Sequence, residues 1–120
     1  MAEGYDRAQP FDFQEIDVSN KVASNVSATT ARLLIYGPLV IVSVTGLVKS
    51  TSSSNWTDML DLSDYLSPTS LQHGIFTNDS ESISQGLAVA EVEINTSGIL
   101  RIYSPKTNIK YWGTIFLFNR

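Results

Sequence analysis

The run Tyr111-Trp112-Gly113-Thr114-Ile115-Phe116-Leu117-Phe118 places large apolar side chains at both parities of an extended chain. Successive side chains of a strand point to opposite faces, so this run reads as a strand with apolar residues to bury on both sides. One cover is the domain's own second sheet, and the other is expected from another copy of the chain. Just upstream, Val92-Glu93-Ile94-Asn95 and Ile99-Leu100-Arg101-Ile102-Tyr103 alternate and are joined at Ser97-Gly98, the signature of a hairpin.

A chain of 120 residues fits one domain, which buries roughly 65% of its unfolded surface, enough for one core. There is no cysteine, which excludes disulfides and thiolate metal sites and fits assembly in a reducing cytoplasm. The net charge of −4, with eight Lys and Arg scattered singly, argues against a phosphate-backbone binder, so no nucleic-acid partner is expected. Met1 to Phe13 is polar and acidic, unlike a secretory leader. The longest apolar stretch, Leu33 to Val48, is broken by Gly37-Pro38, Ser43, Thr45 and Gly46, so no membrane insertion is expected.

Strand periodicity recurs along the chain. Ala31 to Tyr36 and Leu39 to Lys49 form a hairpin pattern around Gly37-Pro38, with Val40, Val42, Val44 and Val48 in the second arm. Ser50 to Asn55 is a polar loop and Trp56 to Leu62 a strand. Leu62 to Leu66 suits a single helical turn before Pro68, and Leu71 to Thr77 is a short strand carrying His73. Asn78 to Gln85 reads as a second polar loop and Gly86 to Asn95 as the strand feeding the Ser97-Gly98 turn. About eight short strands with little helix and no internal repeat predict an all-β antiparallel sandwich or jelly roll. Residues 1–30 are expected to be an extended arm or linker, with Phe11, Phe13, Ile16 and Val18 available to a neighbour, and residues 31–120 the sandwich head.

Asp58, Asp61 and Asp64 recur at every third residue, but not with the alternate-position ligands and central glycine of a calcium loop. They read as a solvated turn, and neither a metal nor a cofactor is expected. His73 is the single histidine, and no serine sits in a Gly-x-Ser-x-Gly elbow. Glu91 and Glu93 share a strand face, formally a carboxylate pair, yet like charges on an exposed face are the commoner case. No enzyme is therefore expected. The sequons at Asn25, Asn55, Asn78 and Asn95 read as turn and loop polarity.

Trp56 follows a polar loop and precedes Asp58. A tryptophan face beside a carboxylate holds a sugar through C–H contacts to the ring and hydroxyl donation to the acid, although the start of a core strand suits Trp56 somewhat better. Trp56, Asp58 and His73 are the candidate saccharide contacts. Trp112, Ile115, Phe116 and Phe118 are the candidate subunit interface, and Tyr103 and Tyr111 stay open between core and site.

The order Tyr36-Gly37-Pro38 to Gly46, Trp56 to Leu62 leading to Pro68, Val92 to Leu100, and Trp112-Gly113-Thr114-Ile115-Phe116 resembles the C-terminal head domain of phage receptor-binding and baseplate proteins. Those heads show an "I-x-T-x-G-x-I-x-I" hairpin and an aromatic closing strand; here Leu100 takes the second isoleucine position. The likeness covers about residues 31 to 118. It implies a homotrimer of β-sandwich heads at a virion tail tip or baseplate, assembled in the host cytoplasm and attaching to host cell-surface saccharide. Other baseplate or tail proteins are implied as partners. A structural virion protein, such as a baseplate scaffold or capsid decoration, and a free-standing lectin-like module are the alternative readings.

Overall fold

A computed structural model describes residues 13–51, 53–78 and 89–119. Within them lie the strands β1 (Gln14–Asp17), β2 (Val26–Ser27), β3 (Thr30–Tyr36), β4 (Leu39–Lys49), β5 (Trp56–Asp61), β6 (Gln72–Asn78), β7 (Val89–Ile94), β8 (Ile99–Tyr103) and β9 (Tyr111–Phe118). The expected hairpins are present. β3 and β4 pair from Thr30↔Thr45 to Tyr36↔Leu39 around Gly37-Pro38. β7 and β8 pair around the three-residue loop 96–98. Asn95 closes that loop by accepting the N–H groups of Ser97 and Ile99 on Oδ1, both at 3.0 Å. Gly98 ends it at φ 81, where a Cβ would also strike the carbonyl of Leu66.

Among the described residues all pairings are antiparallel and give one sheet in the order β1-β3-β4-β9-β6-β7-β8-β5, with β2 pairing β4 off this path. The closing strand thus sits centrally, between β4 and β6. It pairs with β6 only at Tyr111↔Asn78 and Trp112↔Thr77, after which the strands part and the sheet folds over. Gly113 permits this, because a Cβ there would lie 2.6 Å from the Phe76 ring. Where the ladder has opened, the Gln72 amide bridges the gap, accepting the Phe118 N–H at 2.8 Å and donating to the Phe118 carbonyl. At the far ends of the order, the segment after β1 closes the fold. Ala23 N–H donates to Met59 O at 3.0 Å and Asp61 N–H to Lys21 O at 2.8 Å, so the β5 edge is covered. The expected all-β antiparallel fold is therefore present, built by one sheet that curls over on itself.

The core lies inside the curl. Val40, Val42 and Val44 of β4, Phe76 of β6, Val92 and Ile94 of β7, and Leu100 and Ile102 of β8 are buried there, each contributing roughly 1.5–3 kcal/mol. Val18 and Val26 belong to the same cluster, and Ile16 packs against it. Val18 is therefore held inside this core rather than offered to a neighbour. Phe11 lies outside the described residues, as do 79–88, where part of the Asn78 to Gln85 loop and the start of the next strand were expected. Leu62 to Leu66 makes its single helical turn, with Leu66 N–H donating to Leu62 O at 2.9 Å.

Strand alternation divides β9. Tyr111, Ile115 and Leu117 point into the core, while Trp112, Phe116 and Phe118 point outward and are 43%, 65% and 54% exposed. Ile115 is therefore a core residue and not part of a subunit interface, because it has the parity of Leu117. The outward face continues across the sheet through Phe116↔Ile41, Ile41↔Leu34 and Leu34↔Glu15. Phe13, Leu34, Tyr36, Leu39 and Ile41 line a shallow groove of about 540 Å³ on it.

Candidate functional site

The other half of the outer face is polar and aromatic. The β7–β8 hairpin sets Glu93 opposite Arg101, and its neighbours add Asp58 beyond Arg101 and His73 beyond Glu93. One cross-strand row therefore reads Asp58, Arg101, Glu93, His73 over β5, β8, β7 and β6. Two positions along, Trp56 faces Tyr103. Their rings meet edge to face with centroids 5.3 Å apart, and the Trp56 ring reaches back to His73 at 6.2 Å.

Arg101 organises this row. Its Nε donates to Asp58 Oδ1 at 3.0 Å and its Nη1 to Glu93 Oε2 at 3.2 Å. The two contacts, Asp58 first, push its pKa above the ordinary arginine value. The Glu93 side chain is only 7% exposed and its other oxygen, Oε1, lies 4.0 Å from His73 Nε2. Asp58 and His73 are open to solvent. Beside Trp56 and Asp58 a depression of about 440 Å³ is bounded by Ala23, Ser24, Lys49 and Thr57. Lys49 Nζ donates to the Ser24 carbonyl at 3.3 Å and has no carboxylate partner among the described residues.

The three sequence candidates Trp56, Asp58 and His73 thus fall into one constellation, although they come from two strands that are not neighbours in the sheet. Arg101, Glu93 and Tyr103 complete it. The hairpin centred on residues 96–98 carries the signal for two of these, since it pairs 93 with 101. The remaining carboxylates disperse. Asp61 accepts the Ser63 N–H at 3.0 Å and hydroxyl at 2.6 Å, which hold its carboxyl below the ordinary range. Asp64 pairs with Lys21 at 3.0 Å. Glu91 stays exposed while Glu93 is buried, so the pair does not present two equivalent carboxylates. Asn25, Asn55 and Asn95 lie outside the strands, but Asn78 is buried at the end of β6, unlike the loop polarity expected of it. Tyr111 is buried with its hydroxyl accepting the Lys106 N–H at 3.1 Å, whereas Tyr103 is half exposed in the site.

Among the described residues the chain is thus an antiparallel sheet curled around one core, with a charged aromatic patch on its outer face. The crystal structure of the head domain of phage bIL170, one of the receptor-binding domains of lactococcal phages, superposes with a TM-score of 0.69 at 12% sequence identity. The match covers 91% of this chain and 100% of that one. No protein-family model matches the sequence, and no curated protein matches it. Among the described residues no helix is long and apolar enough to cross a membrane.

Proposed function

We propose that the chain is the receptor-binding head of a phage tail tip or baseplate, attaching the virion to saccharide on the host cell surface. The observation that carries this reading is the convergence of Trp56, Tyr103, His73, Asp58 and Arg101 on one outer face. Aromatic faces take sugar C–H groups, Asp58 accepts from hydroxyls, and the imidazole and guanidinium donate to ring and hydroxyl oxygens. Binding rather than turnover is the proposed role, since Asp58 and Glu93 are both engaged by Arg101.

The head works as a homotrimer whose threefold contact uses the outward face of β9, with Trp112, Phe116 and Phe118. A strip running from Phe116 to Leu34 and the groove beside it is larger than single scattered apolar residues. Trimerisation would cover it and leave the Trp56 patch outside. Other tail or baseplate proteins then hold the assembled head on the virion. The test is binding to a printed array of bacterial surface glycans. Trp56→Ala and His73→Ala abolish or sharply reduce the signal, and Phe118→Ala reduces it only through lost multivalency. Unchanged binding by Trp56→Ala contradicts the proposal.

A further inference from the structure

Glu93 plays no direct part in the contacts proposed above, because its carboxylate is 7% exposed and lies under the site rather than in it. Burying a charge is costly unless it is paired, and its partner is the Arg101 guanidinium, which already has Asp58 on Nε. Two carboxylates against one guanidinium leave one net negative charge in the row. His73 faces it from β6, and Glu91, exposed two residues away on β7, adds a further carboxylate. An arginine on an aromatic patch would otherwise serve as a fork for carboxylate or phosphate. Here both edges of that fork that the strands can reach are occupied.

We infer that Glu93 is the specificity-determining residue of the site, placing beneath the Arg101–Asp58 pair the surplus negative charge that makes the sugar unit seated on Trp56 an uncharged, hydroxyl-rich one. This rests on the saccharide reading of the same patch. Arg101 then acts as a fixed hydroxyl donor rather than an anion receptor. Removing the buried charge while keeping the acceptor takes the row from one net negative charge to none, since Asp58 stays on Arg101 Nε. A unit charge about 6 Å from a ligand anion changes affinity roughly tenfold at the dielectric of a half-exposed site.

The experiment uses the full chain on a printed array of bacterial glycans that carries neutral oligosaccharides beside their uronate- and phosphate-bearing counterparts. Wild type favours the neutral members. Glu93→Gln keeps the side-chain volume and an oxygen for Arg101 Nη1, and it shifts the acidic-to-neutral binding ratio about tenfold toward acidic glycans. Adding Arg101→Gln cancels the shift, and Glu93→Asp retains the wild-type preference. Thermal unfolding of each variant confirms that folded protein was compared. A Glu93→Gln protein that loses all glycans equally, or a wild type that favours acidic ones, overturns the inference while leaving the Trp56 site standing. Binding unaffected by Trp56→Ala, or no binding to any glycan, refutes the saccharide reading and this inference with it.

Discussion

Phe116 and Leu117 are adjacent in β9 and face opposite ways, so truncating each in turn separates what the domain's core holds from what a second copy would hold. Leu117 is 1% exposed within the core. Leu117→Ala removes its transfer energy and leaves a cavity, a loss of about 2–5 kcal/mol. At this chain length that lowers the melting temperature by roughly 10–20 °C. Phe116 is 65% exposed. Covering that fraction of a side chain of roughly 200 Å² hides about 130 Å² per protomer, worth about 3 kcal/mol to association. In an isolated subunit the same substitution costs well under the Leu117 loss. On the proposed trimer, light scattering over a dilution series is expected to show Phe116→Ala dissociating at concentrations where wild type stays associated, with the monomer still melting cooperatively. Leu117→Ala melts early at every concentration. A wild-type monomer, or a Phe116→Ala protein of unchanged mass and sharply lowered melting temperature, refutes the division of β9 into a core face and a contact face.

Other outcomes follow from local geometry. Gly113→Ala drives a methyl into the Phe76 ring and destabilises by about 1–3 kcal/mol, read as a lower urea midpoint with unchanged slope. Asn95→Ala leaves the Ser97 and Ile99 N–H groups without their shared acceptor and costs about 1 kcal/mol, again by urea titration; a neutral result contradicts the turn's dependence on this side chain. Asp17 and Asp61 titrate below the ordinary 3.8 because serine side chains and N–H groups donate to their ionised forms. A carboxylate depressed in the folded state adds stability above its unfolded pKa and loses it as pH falls through the folded value. The melting temperature therefore drops below about pH 4, and less steeply in an Asp61→Ala variant.

Much of the strand content was legible because alternation writes it plainly, as in Val40, Val42 and Val44 or in the residues flanking Ser97-Gly98. The curl was not. It depends on Gly113 and Gly74 allowing β6 and β9 to approach, and on Gln72 bridging strands that have parted, which are contacts between segments some 40 residues apart. The doubly apolar character of β9 was legible, but which parity served the core was not, so Ile115 was assigned to the wrong face. The site divides similarly. Trp56 and Asp58 were visible as a local aromatic and acid pair, and His73 stood out by its singularity. Arg101 and Glu93 were hidden because their meaning lies in hairpin register and in burial, and Glu93 looked like one of two equivalent exposed acids. Val18 looked available for the same reason, since its partners in the core are remote in sequence.

On the proposed reading the Trp56 patch, and not the Trp112 face, receives the host saccharide. The chain has two tryptophans, and they fall one on each of these surfaces, so their indole N–H resonances report on each separately. Titrating the isotope-labelled protein with the strongest glycan from the array is predicted to shift the Trp56 indole signal in a saturable way and leave that of Trp112 in place. Movement of the Trp112 signal alone, or saturable binding with neither signal perturbed, contradicts that assignment.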